Sequence, residues 1–152
     1  MQMNGFHTFM EGYVSFLEEM AAGESEKYAA LLSYDAKRID RVVTGQQAMN
    51  MRLAHFEEQR EQEQEAAGLA GLAFSEILEH LEPPQREPMQ ELFRRFETAI
   101  HEIKYYNSKS ISFAKEGMQM LGMTEGTKAP YTPKGQQRPG SAQGSSLFEA
   151  KV

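Results

Sequence analysis

Histidine is the side chain best suited to moving protons or holding a metal near neutral pH, and the chain has four: His7, His55, His80 and His101. They fall on separate segments, and none follows a glutamate by three residues, so the Glu-x-x-His pair of di-iron bundles is missing. A His-Glu-x-x-His zinc motif and a Gly-rich phosphate loop are missing too. Carboxylates recur at four-residue spacing at Glu57, Glu61 and Glu65, in a stretch with almost no apolar residue, which reads as a solvated helix face rather than an acid–base pair. Ser108, Ser110 and Ser112 lack the Gly-x-Ser-x-Gly elbow of a hydrolase nucleophile. With no cysteine, a thiolate metal site, a cysteine nucleophile and a disulfide framework are excluded, and a reducing compartment is compatible. The expectation is a protein without catalysis, cofactor or metal.

The residues that remain are suited to gripping another protein. Asn107 interrupts an apolar seam, where an amide must find partners or cost about 1–3 kcal/mol. It reads either as a register-setting polar contact or as an amide that pairs with a partner's backbone. Tyr105 projects almost opposite that seam, an aromatic ring on an outer helix face. Ile111 and Met118 are seven apart, within about 20° of each other on a helix, and flank the seam on one side. The chain has 10 methionines, and Met118, Met120 and Met123 cluster where the last helix ends. Methionine adapts its shape to varied partners; Met120 sits at the seam edge and also suits core filling. The candidate partner-binding set is therefore Tyr105, Asn107, Ile111, Met118 and Met123.

The elements that must position these residues are helices. Apolar residues recur in steps of three and four at Phe6, Phe9/Met10, Tyr13, Phe16/Leu17 and Met20, which predicts a first helix broken at Gly23. A second helix is expected from a Ser25 cap to Ala66, with Asp35 and Gln46 as polar seam residues, a possible kink at Gly45 and residues 57–65 as a solvated extension. Gly68 and Gly71 loosen the chain. A short helix then starts from a Ser75 cap with Phe74 as its staple, and ends by Leu81 because Pro83-Pro84 follow. The last helix is expected from Pro88 to Leu121, with Gly122 as its stop. Its apolar arc, from Met89 to Met120/Leu121, is too wide for a two-stranded seam and calls for at least two neighbours. The fold class is all-α: an elongated antiparallel helical bundle over residues 1–122, with a flexible polar tail at 123–152.

Charge follows the same division. Residues 1–122 carry 12 basic and 20 acidic side chains, whereas 123–152 carry 4 and 2. An acidic body does not suit nucleic acid. Glu11, Glu18 and Glu19 interrupt any signal-peptide pattern, and no apolar run reaches the ~20 residues of a membrane span. A soluble, cytoplasmic protein is expected. Tyr131, Leu147 and Phe148 are apolar points along a tail too polar to hold itself down, and suggest that it takes part in binding.

This order of features resembles the FlgN family of flagellar export chaperones. The resemblance rests on a break at Gly23-Glu24 before a long charged helix, the Phe74-Ser75-Glu76-Ile77-Leu78 start before a Pro turn, Ile103-x-x-Tyr106-Asn107 within the final helix, and Tyr131-Thr132-Pro133-Lys134-Gly135 in the tail. Ser110 stands where the family often has a second Asn. The resemblance implies a cytoplasmic chaperone that binds the C-terminal amphipathic helices of hook-associated junction proteins and delivers them to the type III export gate and its ATPase apparatus, without cofactor or metal. It implies export-gate docking through Tyr131. The residues also leave open a coiled-coil structural protein that homo-oligomerises, and a homodimer remains possible.

Overall fold

The computed structural model describes residues 3–121, and four helices account for most of them: α1 (Met3–Ser33), α2 (Ala36–Ala66), α3 (Phe74–Glu79) and α4 (Pro83–Met120). There is no strand among the described residues. The all-α expectation is met. Met123, Tyr131, Leu147 and Phe148, with the tail expected at 123–152, lie outside the described residues.

The first turn of the bundle is not at Gly23. Helix α1 runs through it and through Ser25 to Ser33. The apolar rhythm does not stop at Gly23, and one glycine costs a helix only about 1 kcal/mol. Gly23 instead serves close packing, since a Cβ there would lie 2.0 Å from Oε1 of Gln46 on α2. The reversal occurs at Ser33-Tyr34-Asp35. Tyr34 takes a left-handed φ of 58°. Asp35, expected within a helix seam, is the N-cap of α2, its Oδ1 accepting from the backbone N–H of Lys37 (3.1 Å) and Arg38 (3.2 Å). Ser33 Oγ accepts from Asp35 N–H and donates to Ala30 O, which closes the turn. Helix α2 then runs through Gly45 without interruption.

The connection to α4 uses the left-handed glycines Gly68 and Gly71, with φ of 78° and 77°. The N-cap of α3 is Ala73 rather than Ser75, and Glu76 reaches back to accept from its N–H at 2.9 Å. Helix α4 begins at Pro83, five residues before the expected Pro88. Proline suits the first turn of a helix, where the N–H has no intrahelical acceptor.

Helix α1 is the central element. It packs along both α2 and α4, which scarcely touch each other. Contacts such as Tyr13–Glu57 and Glu26–Arg38 show α2 antiparallel to α1, while Glu18–Arg95 and Lys27–Asn107 show α4 parallel to it. The bundle thus has a proximal end, holding Met3, α3 and Pro83, and a distal end, holding the Tyr34 turn and the exit of α4.

The large buried apolar residues lie almost entirely in the proximal half. Phe6, Met10, Tyr13, Phe16, Leu17 and Met20 of α1 meet Leu53 of α2, Leu69, Phe74 and Ile77 of the connection, and Met89 to Ile103 of α4. Phe74 stacks on Phe93 with ring centroids 4.0 Å apart, so α3 forms a fourth wall between α2 and α4. Residues 57–65 are not the solvated extension expected from their composition. Glu57, Arg60 and Gln64, three to four residues apart on one face, are buried. Arg60 donates two hydrogen bonds to Glu57, at 3.0 and 2.6 Å, and one to Gln64. Tyr13 of α1 also donates to Glu57, and Gln64 donates to the backbone carbonyls of Leu69 and Leu72. One polar cluster thereby ties α1, α2 and the connection together, each buried charge facing a partner.

Candidate partner-binding face

Past Ile103 the packing changes. The fully buried positions of the distal half are Glu24, Ala30, Gln46 and Ser110, none of them a large apolar residue. A polar relay crosses all three long helices here. Gln46 Nε2 donates to Glu24 Oε2 at 2.9 Å, Glu24 Oε1 pairs with Lys27 Nζ at 2.9 Å, and Lys27 Nζ donates to Asn107 Oδ1 at 3.4 Å. Beyond it, Tyr28, Leu31, Ile39, Val42, Val43, Tyr106 and Phe113 are only half-buried. Aromatic pairs hold α1 to α4, Tyr28 with Tyr106 and Tyr34 with Phe113. Among the described residues, no fourth wall closes this half as α3 closes the other.

The helical period locates the consequence on α4. At about 100° per residue, Phe93, Ile100, Asn107, Ile111 and Met118 fall within an arc of about 40°. In the proximal half this edge is covered by α3, through the Phe74–Phe93 stack. In the distal half it is open: Ile111 is 53% exposed, and Met118 and Asn107 are half-buried. Ser110, one step away towards α1, is buried and its Oγ has no hydrogen-bond partner among the described residues.

Three candidates from the sequence, Asn107, Ile111 and Met118, therefore share one edge. Tyr105 does not join them. It lies about 120–160° around the helix from them, 55% exposed, edge-on to Tyr106 and beneath the Lys109 ammonium at 5.7 Å. Met123 lies outside the described residues. Met120, read as a seam-edge residue, is 87% exposed. Phe113 is level with the Tyr34 turn, so the last seven residues of α4, about 10 Å, extend past the end of α1. Leu32 and Tyr34 add exposed apolar surface at the same end, at 46% and 80% exposure. Sequence reasoning missed them because it placed both inside a continuous helix.

Among the described residues no group of three or more His, Asp or Glu is placed to hold a metal, and no helix is long and apolar enough to cross a membrane. A family model described as FlgN protein matches residues 1–139 of the chain. No curated protein and no solved structure matches it.

Proposed function

The chain belongs to the FlgN protein family, a family of flagellar export chaperones, and on that premise we propose that it holds the C-terminal amphipathic helices of hook-associated junction proteins in the cytoplasm and delivers them to the export gate. The observation that carries this reading is the missing wall of the distal half. An amphipathic helix laid along Asn107, Ile111 and Met118 would do for the distal half what α3 does for the proximal one. Its residues at i, i+3, i+4 and i+7 would cover the open strip, and the half-buried Asn107 amide would face its polar atoms. Tyr105 and Met123 would extend the contact, and Tyr131 would serve the export gate. The absence of large buried residues keeps such a site shallow and its affinity moderate, which suits cargo that must be released.

The test is the double substitution Ile111→Asp with Met118→Asp in the full chain, read by thermal melting and by capture of the junction proteins. Neither side chain is fully buried, so the variant should melt close to the parent. An unpaired carboxylate under a docked helix should weaken capture at least tenfold. A folded variant that captures both junction proteins normally would refute the site. Deleting residues 123–152 should leave the helical signal nearly intact and reduce binding to cargo or gate. The competing reading, a homo-oligomer in which a second copy covers the strip, predicts a larger species on a calibrated column that the double substitution converts to monomer.

A further inference from the structure

A second surface lies at the opposite, proximal end. A cleft of about 920 Å³ runs between α3 and the first half of α4. Its floor is apolar, formed by Phe74, Leu78 and Phe93, and Pro83, Pro84 and Pro88 add rigid apolar surface along one side. Smaller clefts adjoin it on both sides, one sharing Leu78 and Gln90, the other sharing Pro84 and Pro88. Its charged lining is Glu87, Glu91 and Glu97 against a single Arg94. Arg94 is already engaged, donating to both oxygens of Glu91 at 3.0 and 2.5 Å, and this pairing holds the Glu91 carboxyl below its usual range. Glu87 and Glu97 have no partner among the described residues. They lie ten residues apart along α4, about 15 Å, and bracket the apolar floor with uncompensated negative charge.

We infer that this cleft is a docking site for a basic amphipathic helix of a partner protein, separate from the distal strip. The charge argument selects Lys and Arg: a cation beside Glu87 or Glu97 meets a carboxylate that no described residue pairs, and an acidic segment would be repelled. The backbone argument selects a helix. Past its first turn the α4 wall has its amides and carbonyls paired within the helix, and no strand edge is on offer among the described residues. An extended peptide would find few main-chain partners there, whereas a helix brings its hydrogen bonds with it. The lining of α4 from Pro83 to Glu97 spans roughly 21 Å, the length of about four helical turns. Apolar residues on one face would meet Phe74 and Leu78, with cations flanking them.

Two synthetic 14-residue peptides test this against the full chain by fluorescence anisotropy. Both carry leucines at i, i+3, i+4 and i+7; one has lysine and the other glutamate at the remaining positions. The lysine peptide should bind at least tenfold more tightly than the glutamate peptide, and less tightly as salt is raised. Glu87→Lys with Glu97→Lys should weaken the lysine peptide about tenfold. Both side chains are exposed, so the melting temperature should hold. Leu78→Asp, at a half-buried position, should weaken it independently. Ile111→Asp with Met118→Asp, which removes any docking of either peptide along the distal strip, should leave the preference for the lysine peptide and its response to the Glu87 and Glu97 reversals in place. Equal binding of the two peptides, full binding by the charge-reversed variant, or loss of binding on the distal substitutions alone would each overturn the inference. The last outcome would place basic helices on the distal strip and leave the proposed cargo site there standing.

Discussion

Replacing Arg60 with Met tests the buried cluster of the proximal half most directly. Arg60 is 2% exposed, and its guanidinium meets Glu57, Gln64 and, at 5.9 Å, the ring of Phe74. Methionine fills much of the same volume but leaves the Glu57 carboxylate, 5% exposed, with only the Tyr13 hydroxyl. Breaking a buried ion pair from one side costs about 3–5 kcal/mol, because the surviving charge stays desolvated. For a folded body of roughly 120 residues that corresponds to a fall in Tm of roughly 12–20 °C. Urea denaturation of Arg60→Met, Glu57→Met and the double variant gives the coupling. The double variant should be more stable than the sum of the single losses by about 2 kcal/mol or more. The exposed neighbour Glu58→Ala should stay within about 0.5 kcal/mol of the parent. If Arg60→Met costs less than about 1 kcal/mol, the face at 57, 60 and 64 is solvated, as composition alone suggested, and the account of the proximal half fails.

Burial, reinforced by the adjacent Glu57 carboxylate, pushes the Tyr13 hydroxyl well above the usual phenol range. The unfolded chain therefore releases this proton near pH 10 while the folded chain keeps it, so stability present below that pH should be lost as pH rises past it. Melting curves from pH 9 to 11.5 should fall more steeply for the parent than for Tyr13→Phe. Gly23→Ala should gain about 1 kcal/mol of helix propensity yet destabilise the chain by about that amount, because the new methyl displaces Gln46 from its buried bond to Glu24. In a Gln46→Ala background the same change should stabilise, and thermal melting of the four chains separates the two effects.

The sequence by itself determined the all-α class, the Pro-bounded short helix and the long final helix, because the three-and-four spacing of apolar residues is a local signal that needs no knowledge of neighbours. It also placed Ile111 and Met118 on one flank of that helix and Asn107 in the seam beside them, since angular position follows from residue number alone. What only the tertiary structure decided was which neighbour each face meets. The turn at Tyr34 rather than Gly23 depends on Asp35 capping α2, a local signal outweighed in the sequence by the apolar rhythm on either side of it, and on Gln46 needing the space beside Gly23, a contact between helices that no local pattern encodes. Glu57, Arg60 and Gln64 look solvated by composition and are buried, because charged side chains at helical spacing can satisfy one another once Tyr13 and the Leu69 and Leu72 carbonyls are brought to them. That Ile111 and Met118 stand open while Phe93 on the same edge is covered follows from the length of α3. Its six residues close only one end of the bundle, and the helix period is blind to where a neighbouring wall stops.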